Sequence, residues 1–426
     1  MRNSLKPIAI TILVAITPIL LWLASIGFAS SSVTESINSF AIILALAGFS
    51  LYGWNIFLST RLKVFENLYG GLLNLYKWHD ITGSLAFMLL LIHPTLIIIK
   101  YANVSLISAY QFIKPSVDFP KMAGIFVLCI MFIAVFLSLY FKIKHELFIK
   151  LHIAMGLVFF LGAYHALLMS GSDVKQSIPL LIYGTIWVAL ALVVMLYRSI
   201  FHKSFRKTYT YSVSRVSTND IYTKLSLKAE RDSIKFSPGQ FAFIKPIASE
   251  LPRQSHPFSI VSSNSGSDLS FGIKKLGDFT SMVSRLRVGD VLEVEGAYGD
   301  FGSRFDKYQH QVWVAGGIGI TPFVAMAKAI TDQKVHLIYS VKSIREACFM
   351  DELKSVATTK PNFHIHIVDN STRSSLLSTQ EIMEFYTENG AIWLCGPPKM
   401  VKTLSKSLKS RGINEGNIIT EEFNLT

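Results

Sequence analysis

The stretch WHDITGSLAFMLLLIHPTLIII, residues 78–99, decides the architecture. About 20 mostly apolar residues cross the hydrocarbon core of a bilayer, so this run reads as a membrane span. It nevertheless carries His79 and His93. Ionisable side chains within a span are costly and mark sites by default. A second run, HELFIKLHIAMGLVFFLGAYHALLM (145–169), repeats the pattern with His152 and His165. At 1.5 Å per residue, separations of 14 and 13 residues amount to roughly 21 and 20 Å along the two helix axes. If both spans cross in the same direction, His79 falls level with His152 and His93 with His165.

Two imidazoles at each of two depths suit two planar metal complexes gripped from both sides, and haem iron takes axial imidazole. Zinc would want a third or fourth ligand at each level, and none is visible. The plainer alternative is that the histidines bond helix backbones or relay protons. Helix geometry raises one difficulty. At ~100° per residue, His93 lies within about 40° of His79, whereas His165 turns about 140° away from His152. The fifth span must therefore bend, near Gly156 or Gly162, or approach its outer partner obliquely. Phe87 and Phe159 or Phe160 lie between the two levels, as packing or lipid-facing aromatics.

The whole composition agrees with a membrane half. Of 426 residues, 51% are hydrophobic and only 16% charged, and mean hydropathy is +0.42. Six apolar runs are expected, at about 8–28, 37–58, 78–100, 121–141, 147–169 and 178–200. The first is longer than the apolar core of a cleaved signal peptide. With the N-terminus inside, twelve Lys and Arg between Arg2 and Lys207 fall on inner segments, and only Lys100, Lys114, Lys121 and Lys175 fall outside. That bias sets the N-terminus and the second half of the chain in the cytoplasm. The net charge of +13 thus reflects topology, not a nucleic-acid surface. Cys129, Cys348 and Cys395 are far apart and form no CxxC pair, so redox chemistry needs a borrowed cofactor.

Beyond residue 205 the pattern changes to short alternating strands, TYTYSVSRVS, IYTKLSLKA, FAFIK and VLEVEG, expected to form a small antiparallel barrel. QVWVAGGIGITPFVAMAKAI then reads as strand, glycine turn and helix, with later strands VHLIYS and AIWLCGPP. This alternation predicts a parallel sheet with its ligand at the carboxyl ends of the strands. Gly316, Gly317 and Gly319 would let backbone approach a pyrophosphate at the helix start. VHLIYS ends without the acid that would bind an NAD ribose, while Lys342 and Arg345 stand nearby. Cations there suit a 2′-phosphate, so NADPH is expected over NADH.

RQSHPFSIVSS, GIKKLGDFTSMV, GGIGITP and LCGPPKM, in that order, resemble the flavin reductase domain of the ferredoxin-NADP reductase superfamily. HPFS and the two histidine pairs resemble the membrane NADPH oxidase and ferric reductase branch, most nearly its bacterial oxidases. The resemblance implies a bis-haem transmembrane domain at 1–205, an FAD-binding β-barrel domain at 206–305 and an α/β NAD(P)H-binding domain at 306–426. It implies that His256, Pro257, Phe258 and Ser259 lie along the flavin, with His256 where soluble relatives have arginine. Lys274, Gly277 and Thr280 would hold the FAD pyrophosphate. Gly316 to Pro322, including Thr321, would form the dinucleotide loop. Cys395 with Gly396 and Pro397 would lie beside the nicotinamide, and Phe423 would stack on the flavin. GAYG (296–299) departs from the usual Gly-Pro pattern.

The function implied is electron transfer from cytosolic NADPH through FAD and two b-type haems held by His79, His152, His93 and His165. The acceptor lies outside the inner membrane: dioxygen giving superoxide first, ferric chelate second. Ile97 stands where animal oxidases carry a further histidine, and no arginine marks the outer end of the second span. A quinone or a periplasmic partner protein fed through the same haems is the third acceptor, and no obligatory protein partner is inferred. The competing class is a transporter with a regulatory nucleotide-binding domain, which predicts no haem.

Overall fold

The computed structural model describes residues 2–60, 62–141, 145–169, 172–197, 208–263 and 268–422. The chain divides into two compact units, residues 2–205 and 206–426.

In the first unit six helices are long and apolar enough to cross a membrane: Leu5–Ser25, Val33–Leu58, Asn74–Ala102, Phe119–Leu137, Lys150–Leu168 and Ile178–Leu196. Their parent elements are α1 (Arg2–Ser25), α2 (Val33–Leu58), α4 (Leu72–Ala102), α6 (Phe119–Tyr140), α7 (His145–Leu168) and α9 (Ile178–Leu196). Short helices α3 (Lys63–Tyr69), α5 (Leu106–Ile113) and α8 (Asp173–Gln176) lie between them. The second span starts four residues before the expected position, because the Ser32 side chain accepts the Glu35 N–H and caps it there. Pro120 near the start of α6 follows the Asp118 cap, and Pro179 near the start of α9 follows the Ser177 cap. Proline is tolerated in a first helical turn, where N–H groups lack intrahelical partners anyway.

Large apolar side chains such as Leu13, Phe126, Leu157 and Ile182 are exposed on the outer surface of the bundle, as lipid contact requires. Helix contacts inside use small residues, since apolar burial does not distinguish lipid from protein. A β carbon at Gly48 would lie 2.8 Å from Leu90 Cγ, and one at Gly53 would lie 2.8 Å from the Trp187 ring. The interior is aromatic: Phe159 is 1% exposed, stacks on Phe49 at 5.0 Å and meets Tyr52 edge-on.

The second unit begins with a six-stranded antiparallel sheet in the order β4-β3-β6-β1-β2-β5. The strands are β1 (Thr208–Thr218), β2 (Tyr222–Ala229), β3 (Phe241–Ala248), β4 (His256–Ser259), β5 (Asp268–Lys274) and β6 (Val291–Tyr298). The bridge Ile260–Phe271, with the Val261 N–H donated to the Ser270 carbonyl at 2.9 Å, brings the two edges together into a nearly closed barrel. Alternate residues Leu225, Leu227, Ile244, Leu292 and Val294 point inward, as a period of two dictates.

A parallel five-stranded sheet follows, in the order β11-β10-β7-β8-β9. It comprises β7 (His310–Gly316), β8 (Lys334–Val341), β9 (Phe363–Asp369), β10 (Ala391–Gly396) and β11 (Ile418–Glu422). Both faces are covered. Trp313, Ala315, Leu337 and Trp393 pack with Phe323 on one side; Val312, Val314, Ile338 and Leu394 pack with Val401 and Leu404 on the other. The order reverses between β7 and β10. In open α/β sheets that crevice is where ligands bind.

Candidate functional site

The membrane histidines sit on two levels. His79 and His152 face one another, Nε2 to Nε2, at 3.4 Å, with ring planes at 67°. Their neighbours Tyr52, Asn55, Met155 and Met195 help to line a cavity of about 350 Å³. The His79 Nδ1 lies 3.1 Å from the Asn55 carbonyl oxygen. Fourteen residues along each helix, His93 Nδ1 lies 2.8 Å from the Ala41 carbonyl oxygen. Equal steps in opposite directions mean that α2 runs antiparallel to α4 and holds both rings in the same way. Asn55 is itself fixed, its Oδ1 accepting the Thr82 hydroxyl at 2.9 Å.

His165 is held differently. Helix α7 is continuous from His145 to Leu168, so no break at Gly156 or Gly162 brings His165 round to the side of His152. The ring is anchored instead to α6, with Nδ1 2.9 Å from the Pro120 carbonyl oxygen. Gly124 makes the room, since a β carbon there would lie 2.7 Å from His165 Nδ1.

The rings of His79, His93 and His165 thus direct Nδ1 to a backbone carbonyl. Donation from Nδ1 leaves Nε2 unprotonated, the arrangement that metal-binding histidines adopt. Metal–imidazole bonds of about 2.0–2.1 Å would put two opposed nitrogens ~4 Å apart, a small opening from the 3.4 Å between His79 and His152. Among the described residues no group of three or more His, Cys, Asp and Glu side chains is placed to hold a metal ion. His79 and His152 could together hold a group that takes two imidazole nitrogens.

In the reductase unit, His256 stacks on Phe279 at 3.9 Å, which brings the β4 segment against the short helix Asp278–Met282. Pro257 is exposed and Ser259 buried on β4, while the His256 and Phe258 rings lie 6.5 Å apart. The Thr280 hydroxyl accepts the Gly277 N–H at 2.9 Å, and Gly277 faces open space. Lys274 is directed towards Glu346 at 3.8 Å, so this cation is shared with a carboxylate in addition to any phosphate.

The two glycine stretches meet at the switch point. A β carbon at Gly319 would lie 2.4 Å from the Cys395 carbonyl oxygen, and one at Gly316 would lie 2.8 Å from Pro397 Cδ. A β carbon at Gly396 would lie 3.0 Å from Gly316 Cα. Gly317, with φ +55°, has open space around it and is the glycine that leaves backbone free for a ligand. Thr321 and Pro322 are buried, and the Thr321 hydroxyl is donated to the Ile318 carbonyl at 2.9 Å; they shape the loop from beneath. Lys342 and Arg345 are exposed just beyond the carboxyl end of β8.

Cys395 is buried on β10, in register with Ala315 and Glu421. Burial raises its thiol well above the usual range, so it serves as a small neutral group, not a thiolate. Glu421 was not among the expected site residues. It is 6% exposed, and burial, with the nearby Asp300 charge, pushes its carboxyl up to about 8. An acid in the strand IITEE was the only available signal. Phe423 lies outside the described residues.

These features define a multi-pass membrane oxidoreductase: a helical bundle with paired histidines, then a flavin barrel and a dinucleotide sheet. Residues 44–163 match the family described as ferric reductase like transmembrane component. Residues 207–300 match an FAD-binding domain family and 313–406 the oxidoreductase NAD-binding domain family. The chain has the architecture of the NADPH oxidase and ferric reductase superfamily.

Among similar proteins, the toluate 1,2-dioxygenase electron transfer component of Pseudomonas putida is 32% identical over 213 residues, 47% of this chain and 62% of that protein. A component of the Na(+)-translocating NADH-quinone reductase of Pseudomonas aeruginosa is 28% identical over 34% of this chain and 40% of its own length. The chain therefore spans less than two thirds of these relatives. NADH-cytochrome b5 reductase 1 of Dictyostelium discoideum is 26% identical over 48% of this chain and 77% of its own length. Of the solved structures, a ferredoxin NADP+ reductase from Neisseria gonorrhoeae is 20% identical over 51% of this chain and 98% of that one, with a TM-score of 0.43.

Proposed function

We propose that the chain carries electrons from cytosolic NADPH across the inner membrane to an acceptor on the far side, with dioxygen, reduced to superoxide, as the favoured acceptor. The observation that carries this reading is the two-level arrangement of His79, His152, His93 and His165, with Nδ1 of three rings held by backbone carbonyls. When bound, FAD supplies the conversion between a two-electron hydride and single electrons, and haem b at each level supplies one-electron carriage through lipid.

The residues divide the work. His79 and His152 hold the inner group and His93 and His165 the outer one. Asn55, Ala41 and Pro120 fix the tautomers of His79, His93 and His165. His256 and the Gly277–Thr280 turn receive the flavin phosphates, Gly317 opens the dinucleotide loop, and Lys342 and Arg345 receive a 2′-phosphate. With two imidazoles engaged at each level, an acceptor would have to be reduced without binding the held metal. Dioxygen suits that requirement because it needs no docking surface.

Reduction of a ferric chelate on the same scaffold is the second reading. It is favoured by the ferric reductase match over 44–163 and by Ile97 one helical turn beyond His93. Purified protein given NADPH without oxygen should show the reduced spectrum of b-type haem, and admitting oxygen should yield superoxide. NADPH consumption that persists only with ferric chelate selects the second reading. Absence of a Soret band overturns both. His93→Leu should lower bound haem from about two to about one per chain while flavin reduction continues.

A further inference from the structure

Away from the carboxyl ends that form the nucleotide crevice, β8 and β9 carry three histidines on one sheet face. His336 is paired in register with His364, and His366 follows two residues along β9. Side chains two apart on a strand share a face, and directly opposite ones have β carbons about 4.5–5.5 Å apart. The His336 Nδ1 lies 3.1 Å from the His366 Nε2. One phenyl ring covers both: Phe385 stacks on His336 at 4.7 Å and on His366 at 4.2 Å. His364 is exposed and stacks on His336 at 4.9 Å.

Nothing in the electron path uses these residues, and a sheet edge does not need three imidazoles to close. Packing alone would be served by any apolar side chains beneath Phe385. What imidazoles add is a pair of ring nitrogens aimed at one another. Two imidazoles on a tetrahedral zinc ion, at about 2.0–2.1 Å each, have their nitrogens roughly 3.3 Å apart, close to the 3.1 Å observed.

We propose that His336 and His366 form a binding site for a borderline-soft divalent metal ion, with zinc as its test ion. Nδ1 of His336 and Nε2 of His366 are the donors, and water completes the shell. The cation takes the place of the single proton shared by the two nitrogens, and that proton passes to the far nitrogen of the ring that held it, so no oxidation or reduction is involved. Imidazole selects zinc, copper and nickel over the hard cations magnesium and calcium. Phe385 holds the two rings in place before the metal arrives, which lowers the ordering required on binding. Lys334 and His310 stand at the start of the same face and tend to repel a cation. The site is accordingly one of moderate affinity, loaded and emptied with the metal supply, not a structural centre.

The test uses the full-length protein as purified, free of any affinity tag, in equilibrium dialysis against zinc with metal content measured by atomic emission. Wild type should retain one more zinc per chain than His366→Ala, and His336→Ala should weaken retention about tenfold or more. His310→Ala should retain zinc like wild type. Nicotinamide-driven flavin reduction at the wild-type rate certifies that each variant is folded. Equal zinc retention by wild type, His336→Ala and His366→Ala would overturn the proposal. So would an equal loss in His310→Ala, which marks a diffuse surface effect, or magnesium displacing zinc at comparable concentration.

Discussion

Gly124 and His165 occupy the same space: a β carbon on the glycine would lie 2.7 Å from Nδ1 and 2.8 Å from Cε1 of the imidazole. Helix α6 thus both accepts the His165 hydrogen bond, through the Pro120 carbonyl, and yields the volume that the ring needs. Gly124→Ala should push the ring off this carbonyl. Overpacking of this kind costs about 1–3 kcal/mol, too little to unfold the bundle. On the proposed function, the expected result is loss or altered spin state of the haem assigned to His93 and His165 with the one assigned to His79 and His152 retained, read by absorption and electron paramagnetic resonance. Two unaltered low-spin signals in Gly124→Ala would refute the placement of His165.

The glycines of GGIGITP separate two effects. Gly319 is pressed against the Cys395 carbonyl at a β-carbon distance of 2.4 Å, whereas Gly317 has nothing within 4 Å but a φ of +55°. Gly319→Ala must move backbone and should lower the melting temperature of the reductase unit. Gly317→Ala should cost only the ~1–2 kcal/mol of a left-handed residue, yet raise the KM for the nicotinamide by crowding its approach. Thermal melts together with steady-state kinetics distinguish them. Equal effects on both readouts would show that the loop does not divide in this way.

Lys342 and Arg345 stand exposed after β8, where a ribose 2′-phosphate is expected. Replacing both with Ala should raise the KM for NADPH by about tenfold, at ~1.4 kcal/mol per tenfold change, and leave that for NADH nearly unchanged. Equal KM changes for the two nucleotides would remove these residues from the specificity argument.

Much of this was legible in the residues. The 3.6-residue period carries His79 and His93 to nearly one face of α4, and α2 meets both with the same hydrogen bond. Strand alternation and the glycine turn gave the barrel and the parallel sheet. What was hidden depended on neighbours distant in sequence. The side to which His165 turns is set by an α6 glycine 41 positions earlier. The pairing of Lys274 with Glu346 arises only when the barrel packs against the nucleotide sheet. Glu421 is an ordinary acid in a short strand until β11 is placed beside β10, where register sets it against Cys395.

Glu421 supplies the last prediction. Burial first, and then the charge of Asp300, holds its carboxyl protonated up to about 8 in the folded protein, against an ordinary value of 4.5. Between those values the folded chain keeps a proton that the unfolded chain has released, so stability must fall as pH rises. The contribution is fully present below about pH 4.5 and is lost progressively up to about pH 8. Glu421→Gln preserves the shape of the neutral acid without its titration. Thermal melts of the full-length protein between about pH 5 and pH 8 should slope downward for wild type, and the slope should shrink in Glu421→Gln, leaving the variant relatively more stable at the alkaline end. Parallel melting curves for the two proteins across that range would mean that Glu421 is ionised in the fold and that water reaches it beside Cys395.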